Sequence, residues 1–461
     1  MVNREELQSR PELRSHQSFP FYSTLGEKPK SALERILSIF ADVRSGEGLS
    51  VLLLTVNIFL LLAGYYLLKT AREALILTEG GAQIKSYSSA LQALVLIVVV
   101  PAYGWVASRV KRSLLVSGVM LFFAVHLGVF WLLGSQGVRE GVVFFVWVGI
   151  FNVFVISQVW AFANDLYTEP QGKRLFPFIG IGGSVGAWVG STVASQLVKG
   201  WDPYVLMLAG AALLLVCAGI VQAVARAEAR RADPQWAQAG EEPLGKEGGF
   251  ELVLKDPYLR LVAVLIVLLN VVNSSGEFLL GNLVVEQAKE VITGSGPEVE
   301  AARKKFIGSF YGDFFSWVNL LGALLQAFGA SRIFQFLGVR GALFLLPLIA
   351  LMSYSVLALV PLLGVVRIAK TLENATDYSI QNTAKQALFL PTSREAKYKA
   401  KAAIDSFFMR FGDVLQAGIV YVGVERLHLS TPQFAWINIA LTLVWLWVVA
   451  RIAERLRKRG F

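Results

Sequence analysis

The chain has 461 residues, 55% of them apolar and only 16% charged, with a mean hydropathy of +0.56. Soluble globular proteins carry about 25% charged residues, so a soluble enzyme, a nucleic-acid binder and a disordered chain are excluded and a polytopic membrane protein remains. The net charge of +10 is then a question of where the basic residues fall.

The first 49 residues are polar and hold no apolar run of the kind a cleaved signal peptide needs. Near their end Leu33, Ile36, Leu37, Phe40 and Val43 recur at helical spacing beside Glu34, Arg35 and Asp42. That pattern fits a short helix lying in the membrane interface, and equally a cytoplasmic helix packed on a bundle. A spanning helix takes roughly 20 apolar residues. Hydropathy broken at charged or Gly/Pro-rich turns predicts an N-terminal half, 50–225, with spans near 50–70, 86–107, 113–135, 141–163, 175–198 and 203–225. The stretch 226–256 is charged, rich in Pro and Gly and without apolar period, a cytoplasmic linker. A second half, 257–453, follows with spans near 257–281, 308–330, 341–360, 362–385, 402–425 and 433–453, then a basic tail at 454–461. Gly and charge interrupt the fifth and tenth spans.

Alternate loops collect the cations. Arg109, Lys111 and Arg112 follow span two, Lys173 and Arg174 follow span four, and Arg226, Arg230, Arg231, Lys246 and Lys255 fill the linker. Arg332 and Arg340, then Arg394, Lys397, Lys399 and Lys401, continue the series to Arg451, Arg455, Arg457, Lys458 and Arg459 in the tail. The loops between are poorer in Lys and Arg, and the largest, 282–307, sets Arg303, Lys304 and Lys305 against Glu290, Glu298 and Glu300. The positive-inside rule places both termini in the cytoplasm.

The halves also echo each other. Ala107-Ser-Arg109 after span two matches Ala330-Ser-Arg332 after span eight, and Thr168-Glu-Pro-Gln-Gly-Lys173 after span four matches Thr392-Ser-Arg-Glu-Ala-Lys397 after span ten. The offsets, 223 (109 to 332) and 224 (168 to 392), agree. The expected fold is therefore an all-α polytopic membrane protein of twelve transmembrane helices in two six-helix halves, the major facilitator architecture, whose substrate site lies near the midplane. The Arg109/Lys111 and Arg332/Arg340 hairpins resemble a degenerate form of that fold's loop motif, lacking its acidic member.

By analogy with that fold, spans one, four, seven and ten line the central cavity, and the polar residues concentrate there. Span one carries Asn57, Tyr65, Lys69 and Arg72 on one face; span ten carries Arg367, Lys370, Asn374, Asp377 and Gln381. Span seven contributes Asn270, Asn273, Ser274 and Glu277, and span four Asn152, Gln158, Asn164 and Asp165. Ionisable side chains inside a membrane face a cavity or a partner. The functional reading is a hydrated path in which Lys69, Arg72, Arg367 and Lys370 attract an anion, with Tyr65, Asn164, Asn273 and Asn374 as further contacts. Arg suits phosphate through its planar fork of donors. Glu73, Asp165, Glu277, Asp377, Arg410 and Asp413 are candidates for coupling or gating. The alternative is that these charges are interhelical ion pairs without a ligand.

Tyr65, Tyr66 and Trp160 suit either stacking of a flat ring or, as we favour, packing between helices. The run Gly180-Ile-Gly-Gly-Ser-Val-Gly186, then Gly190, lies inside an apolar span rather than after a soluble strand, so close helix packing is expected of it and not phosphate binding. Cys217 stands alone in the apolar run Leu213–Ile220, and His16, His126 and His428 are scattered; no metal site, cofactor or catalytic constellation is expected.

At Tyr65-Tyr-Leu-Leu-Lys-Thr-Ala-Arg-Glu-Ala-Leu-Ile-Leu77, Trp160-Ala-Phe-Ala-Asn-Asp165, Gly172-Lys-Arg-Leu-Phe-Pro-Phe-Ile-Gly-Ile-Gly182 and Lys397-Tyr-Lys-Ala-Lys-Ala-Ala-Ile-Asp405, the chain resembles the ATP:ADP translocase family of plastids and obligate intracellular bacteria. The resemblance extends over all twelve spans and implies a facilitator-like antiporter that exchanges nucleotides. We further expect a monomer in a bacterial inner membrane, in contact with lipid and a small anionic substrate and not with nucleic acid. The family's energy-exchanging members carry a lysine late in span one, where Arg72 stands, and a glutamate in span four, where Val148 stands. They carry a second glutamate in span seven, at Asn273, one turn before Glu277, and a lysine in span eleven, at Asp413. The resemblance thus implies transport of nucleotides or another phosphorylated anion, with strict ATP-for-ADP exchange left open. Two other readings stand beside it: a proton-driven transporter of a non-nucleotide substrate using Glu277 and Asp377, and a non-transporting scaffold that recruits partners through the tail and linker.

Overall fold

The computed structural model describes residues 30–38, 43–107, 112–167, 169–229, 249–393, 396 and 400–458. Most of the linker, the basic residues Arg109, Lys111, Arg230 and Arg231, and the first three residues of the motif begun by Lys397 lie outside the described residues.

A short helix α1 (Ala32–Leu37) opens the described chain. Ser31 caps it reciprocally: its hydroxyl accepts from the Glu34 amide and the Glu34 carboxylate accepts from the Ser31 amide. Glu34 also accepts from the Gly46 amide at 2.6 Å, and Leu37 and Val43 are buried. The segment is thereby folded back on the start of the first span.

The N-terminal half follows as α2 (Gly48–Glu79), α3 (Gly81–Ala107), α4 (Arg112–Ser135), α5 (Gly141–Phe151) continued by α6 (Ser157–Leu166), α7 (Glu169–Gly200) and α8 (Val205–Ala229). After α9 (Gly249–Lys255), Asp256 caps α10 (Pro257–Val291) through the Tyr258 amide, with proline at the first helical position. The C-terminal half continues with α11 (Pro297–Leu324), α12 (Ala330–Leu359), α13 (Leu363–Thr376), α14 (Asn382–Ala387), α15 (Lys401–Ala403), α16 (Met409–Tyr421) and α17 (Thr431–Lys458). Within α12 the helix breaks at Gly338, whose φ of 65° is in the left-handed region that glycine tolerates. The all-helical membrane bundle expected from the pattern is the fold found.

Among the described residues, ten helical segments are long and apolar enough to cross a membrane. The eighth and tenth expected spans are the two that fall short. The eighth, α11, carries Asp313 and Asn319 in the stretch after its charged opening turns, and the tenth carries Arg367, Lys370, Glu373 and Asp377. Of the ten, the first and seventh spans are 56% and 61% buried within the protein against 33–47% for the others, so these two sit at the centre. The outer helices turn residues such as Leu121, Phe122, Val125 and Val129 outward, a surface that only lipid can cover.

Each half has its own apolar core. One is drawn from Leu37 to Val224. The other runs from Val253 to Leu456 and takes in Tyr66, Ile76, Leu77, Ala82, Phe145 and Ala187 of the first half. The glycine run is a packing device: a Cβ at Gly182, Gly186 or Gly190 of α7 would strike the carbonyl oxygens of Thr55, Phe59 and Ala63 on α2. Small residues one turn apart let the two backbones touch.

The halves meet where α11 packs on α2 and α7, and where α3 packs on α10 and α16. Thr192 and Ser316 hydroxyls lie 2.6 Å apart, Ser195 donates to Asp313, and Gln416 Nε2 donates to Ser86 at 3.2 Å. Gln83 Nε2 donates to Glu425 at 2.5 Å, and Lys304 Nζ lies 4.9 Å from the Tyr204 ring centre. These contacts occupy the middle of the bundle and the end remote from both termini.

Candidate substrate cavity

Between the halves lies a polar cavity of about 180 Å³. Helix α2 supplies Lys69, Arg72 and Glu73, α3 supplies Lys85, Ser86, Ser89 and Gln92, and α10 supplies Asn273, Ser274 and Glu277. From the other side come Asn374, Tyr378, Arg410, Asp413 and Gln416, with Phe145, Phe278 and Phe315 as the apolar wall.

The charges in it form a chain across the halves. Arg72 Nη2 is 2.5 Å from Glu73 Oε1, and Lys85 Nζ is 2.7 Å from Glu73 Oε2. The same ammonium is 3.7 Å from Glu277 Oε2, while Asn374 Nδ2 donates to Glu277 Oε1 at 3.0 Å. A second cluster closes on Asp413, which is 3.2 Å from Arg410 Nη1 and accepts from Asn270 at 2.8 Å and Ser274 at 3.3 Å. Lys69 is held differently. Its Nζ lies 4.1 Å from the Phe315 ring centre and donates to the Tyr378 hydroxyl at 3.3 Å; among the described residues it makes no ion pair. A cation over an aromatic face is stabilised without being neutralised.

Of the residues expected at the site, Lys69, Arg72, Asn273 and Asn374 line the cavity, as do Glu73, Glu277, Arg410 and Asp413. Lys370 does not. It is 2% exposed, its Nζ 2.8 Å from Glu373 Oε1 and 3.1 Å from Asn273 Oδ1, and Glu373 also accepts from Tyr354 at 3.1 Å. It fills the space over Gly276, where a Cβ would come within 2.8 Å of the ammonium. Arg367 lies away from the cavity over the Phe310 ring, 5.3 Å from its centre, and Asp377 faces Lys385 at 3.8 Å. Tyr65 stacks on Phe151 at 6.3 Å, and Trp160 meets Phe176 edge-on, so both serve helix packing here. The side chains of Asn164 and Asp165 lie outside the described ones. His126 is 2.7 Å from the carbonyl of Phe122, one turn back.

Two charged residues of this network escape the sequence reading, Lys85 and Glu373. Lys85 sits one residue before the predicted start of span two, whereas α3 begins at Gly81. The spacing Lys85, Ser89, Gln92 is the same polar stripe that marks spans one and ten.

The family model described as TLC ATP/ADP transporter matches residues 327–456. ADP,ATP carrier protein 1 of Chlamydia trachomatis serovar D is 25% identical over 64% of this chain and 61% of its own length. ADP,ATP carrier protein 2 of the same organism is 23% identical over 84% of each chain. The chain is thus similar to the ATP:ADP translocase family. The match spans less than two thirds of the first of these relatives, so the likeness does not by itself carry their activity over. Solved structures show the same fold. A bacterial homologue of the iron transporter ferroportin, in an inward-facing state, superposes with a TM-score of 0.62 at 15% identity, covering 88% of this chain and 99% of that one. The nucleoside transporter NupG superposes at 0.53 and 14% identity, covering 89% and 98%.

The chain departs from that family's pattern at Asp413, in the cavity, and at Val148, in the N-terminal core. Asp413 stands where the resemblance places a lysine, and it is bound to Arg410 rather than free. Val148, where a glutamate is expected, is fully buried in the N-terminal core.

Proposed function

We propose that the protein is a secondary transporter that moves nucleotides or related phosphorylated anions across a bacterial inner membrane by alternating access, with both termini in the cytoplasm. The observation that carries this reading is the chain Arg72–Glu73–Lys85–Glu277–Asn374. It crosses the central cavity from one half to the other, and its weakest link is the 3.7 Å gap between Lys85 and Glu277. A phosphoryl oxygen inserted there meets the Lys85 ammonium and the Arg72 fork together. The named contacts between halves lie in the middle of the bundle and at the end remote from the termini, which supports an arrangement closed on the outside. Rocking the halves about the cavity would open that end.

The test is uptake of labelled ATP and ADP into liposomes carrying the purified protein, with and without nucleotide inside. Uptake that needs internal nucleotide, and that falls at least tenfold in Arg72→Ala and Lys85→Ala, is the expected result. Undiminished uptake in both variants would remove the cavity from the transport path.

A further inference from the structure

We propose that the cavity selects a solute bearing a single phosphoryl group, a nucleoside monophosphate rather than a di- or triphosphate. This rests on the transport reading above and narrows it. The cavity holds four cations, Lys69, Arg72, Lys85 and Arg410, against three carboxylates, Glu73, Glu277 and Asp413. Each carboxylate has a partner that holds it at the cavity. Glu73 is held by Arg72 on the same helix at 2.5 Å, Asp413 by Arg410 one turn away at 3.2 Å, and Glu277 by Asn374 at 3.0 Å.

An incoming anion therefore finds one cation without a carboxylate partner among the described residues, Lys69, resting on Phe315 and Tyr378. A phosphate monoester carries about −1.5 to −2 charges at neutral pH, nearer than a di- or triphosphate to the single positive charge by which the four cations exceed the three carboxylates. Each added phosphoryl group brings further charge into a partly enclosed space that already holds three carboxylates, where an unpaired charge is costly. The rings of Phe315 and Tyr378 beside Lys69, and Phe145 4.5 Å beneath the Arg72 guanidinium, provide the apolar faces that a base or sugar needs.

The experiment is equilibrium binding of adenosine, AMP, ADP and ATP to the full-length protein in lipid nanodiscs, free of divalent cations and at one ionic strength. The expected order is AMP tightest, ATP at least tenfold weaker, and adenosine weaker than AMP. Lys69→Gln should bring AMP down to the level of adenosine. Glu277→Gln, which gives the site a second unbalanced cation, should narrow the gap between AMP and ATP at least threefold. ATP binding as tightly as AMP, or a gap that Glu277→Gln leaves unchanged, overturns the charge selection while nucleotide transport stands. Protein that melts cooperatively and binds none of the four overturns both.

Discussion

Replacing Lys370 tests whether this residue is a ligand contact, as its sequence position suggests, or part of the wall, as the structure has it. Its side chain and that of Glu373 are 2% and 4% exposed and 2.8 Å apart. In Lys370→Met the Glu373 carboxylate keeps the Tyr354 hydroxyl at 3.1 Å but loses its only ion-pair partner among the described residues. Breaking a buried pair from one side costs about 3–5 kcal/mol because the remaining charge is uncompensated. If the C-terminal half unfolds as a unit of about 200 residues, at about 2–4 °C per kcal/mol, the melting temperature should fall by roughly 10 °C. The double variant Lys370→Met, Glu373→Gln removes both charges at once and should recover most of that loss. Melting followed by circular dichroism, with nucleotide binding measured on the same samples, distinguishes the cases. A Lys370→Met protein that melts like the wild type yet has lost binding would refute the assignment to the wall.

Glycines in α7 give a sharper contrast. Gly186→Ala forces a methyl group onto the Phe59 carbonyl and should cost about 1–3 kcal/mol, whereas Gly180→Ala points into open space and should be neutral or better; equal melting temperatures would contradict the close approach of α7 to α2. At the end remote from the termini, Glu140 precedes α5 with both carboxylate oxygens buried and without hydrogen-bond partners among the described residues. Burial, followed by the nearby charge of Glu79 and offset in part by Lys304, pushes its pKa up to about 7. Because the folded state binds this proton more tightly than the unfolded chain, the contribution is fully present below the ordinary carboxylate range near 4.5 and is lost as pH rises through about 7. Thermal stability should decline between pH 5 and 8, and Glu140→Gln should flatten that decline; an unchanged slope would assign the pH dependence elsewhere.

How far the residues themselves disclose this site depends on what helical spacing encodes. It encodes which side chains share a face, and Lys69, Arg72, Asn273, Glu277 and Asn374 were legible on that basis once the fold analogy had chosen the spans. It does not encode which way that face is turned when its neighbours differ in size. Lys370 and Asn374 are one turn apart, yet the first enters the space left by Gly276 and the second reaches Glu277 in the cavity. No periodicity in span ten announces a glycine in span seven. Glu373 was hidden for a related reason: it lies off the stripe Arg367, Lys370, Asn374, and its partners Lys370 and Tyr354 are met only behind the wall. Lys85 was lost to a boundary, since hydropathy begins a span where charge ends, while α3 begins at Gly81, before the predicted start at 86. The glycine run was the opposite case, because its four-residue spacing within an apolar segment already demanded a helix against it.

On the transport reading proposed above, the charge chain also bears on how two arrangements of the halves would remain close in free energy. Lys85 is 2.7 Å from Glu73 in its own half and 3.7 Å from Glu277 in the other. If the halves part, Lys85 keeps Glu73 and Glu277 keeps the Asn374 amide, so neither carboxylate is left bare in a medium where a bare charge is prohibitive. Arg410 and Asp413 lie one turn apart on the same helix and travel together. Only the longer of the two Lys85 contacts would be exchanged for water or for a phosphoryl oxygen. A tighter lock across the midplane, a 2.7 Å pair with no second partner on either side, would hold the protein in one state. The pairing within each half is what leaves the contact between halves weak enough for a ligand to decide it.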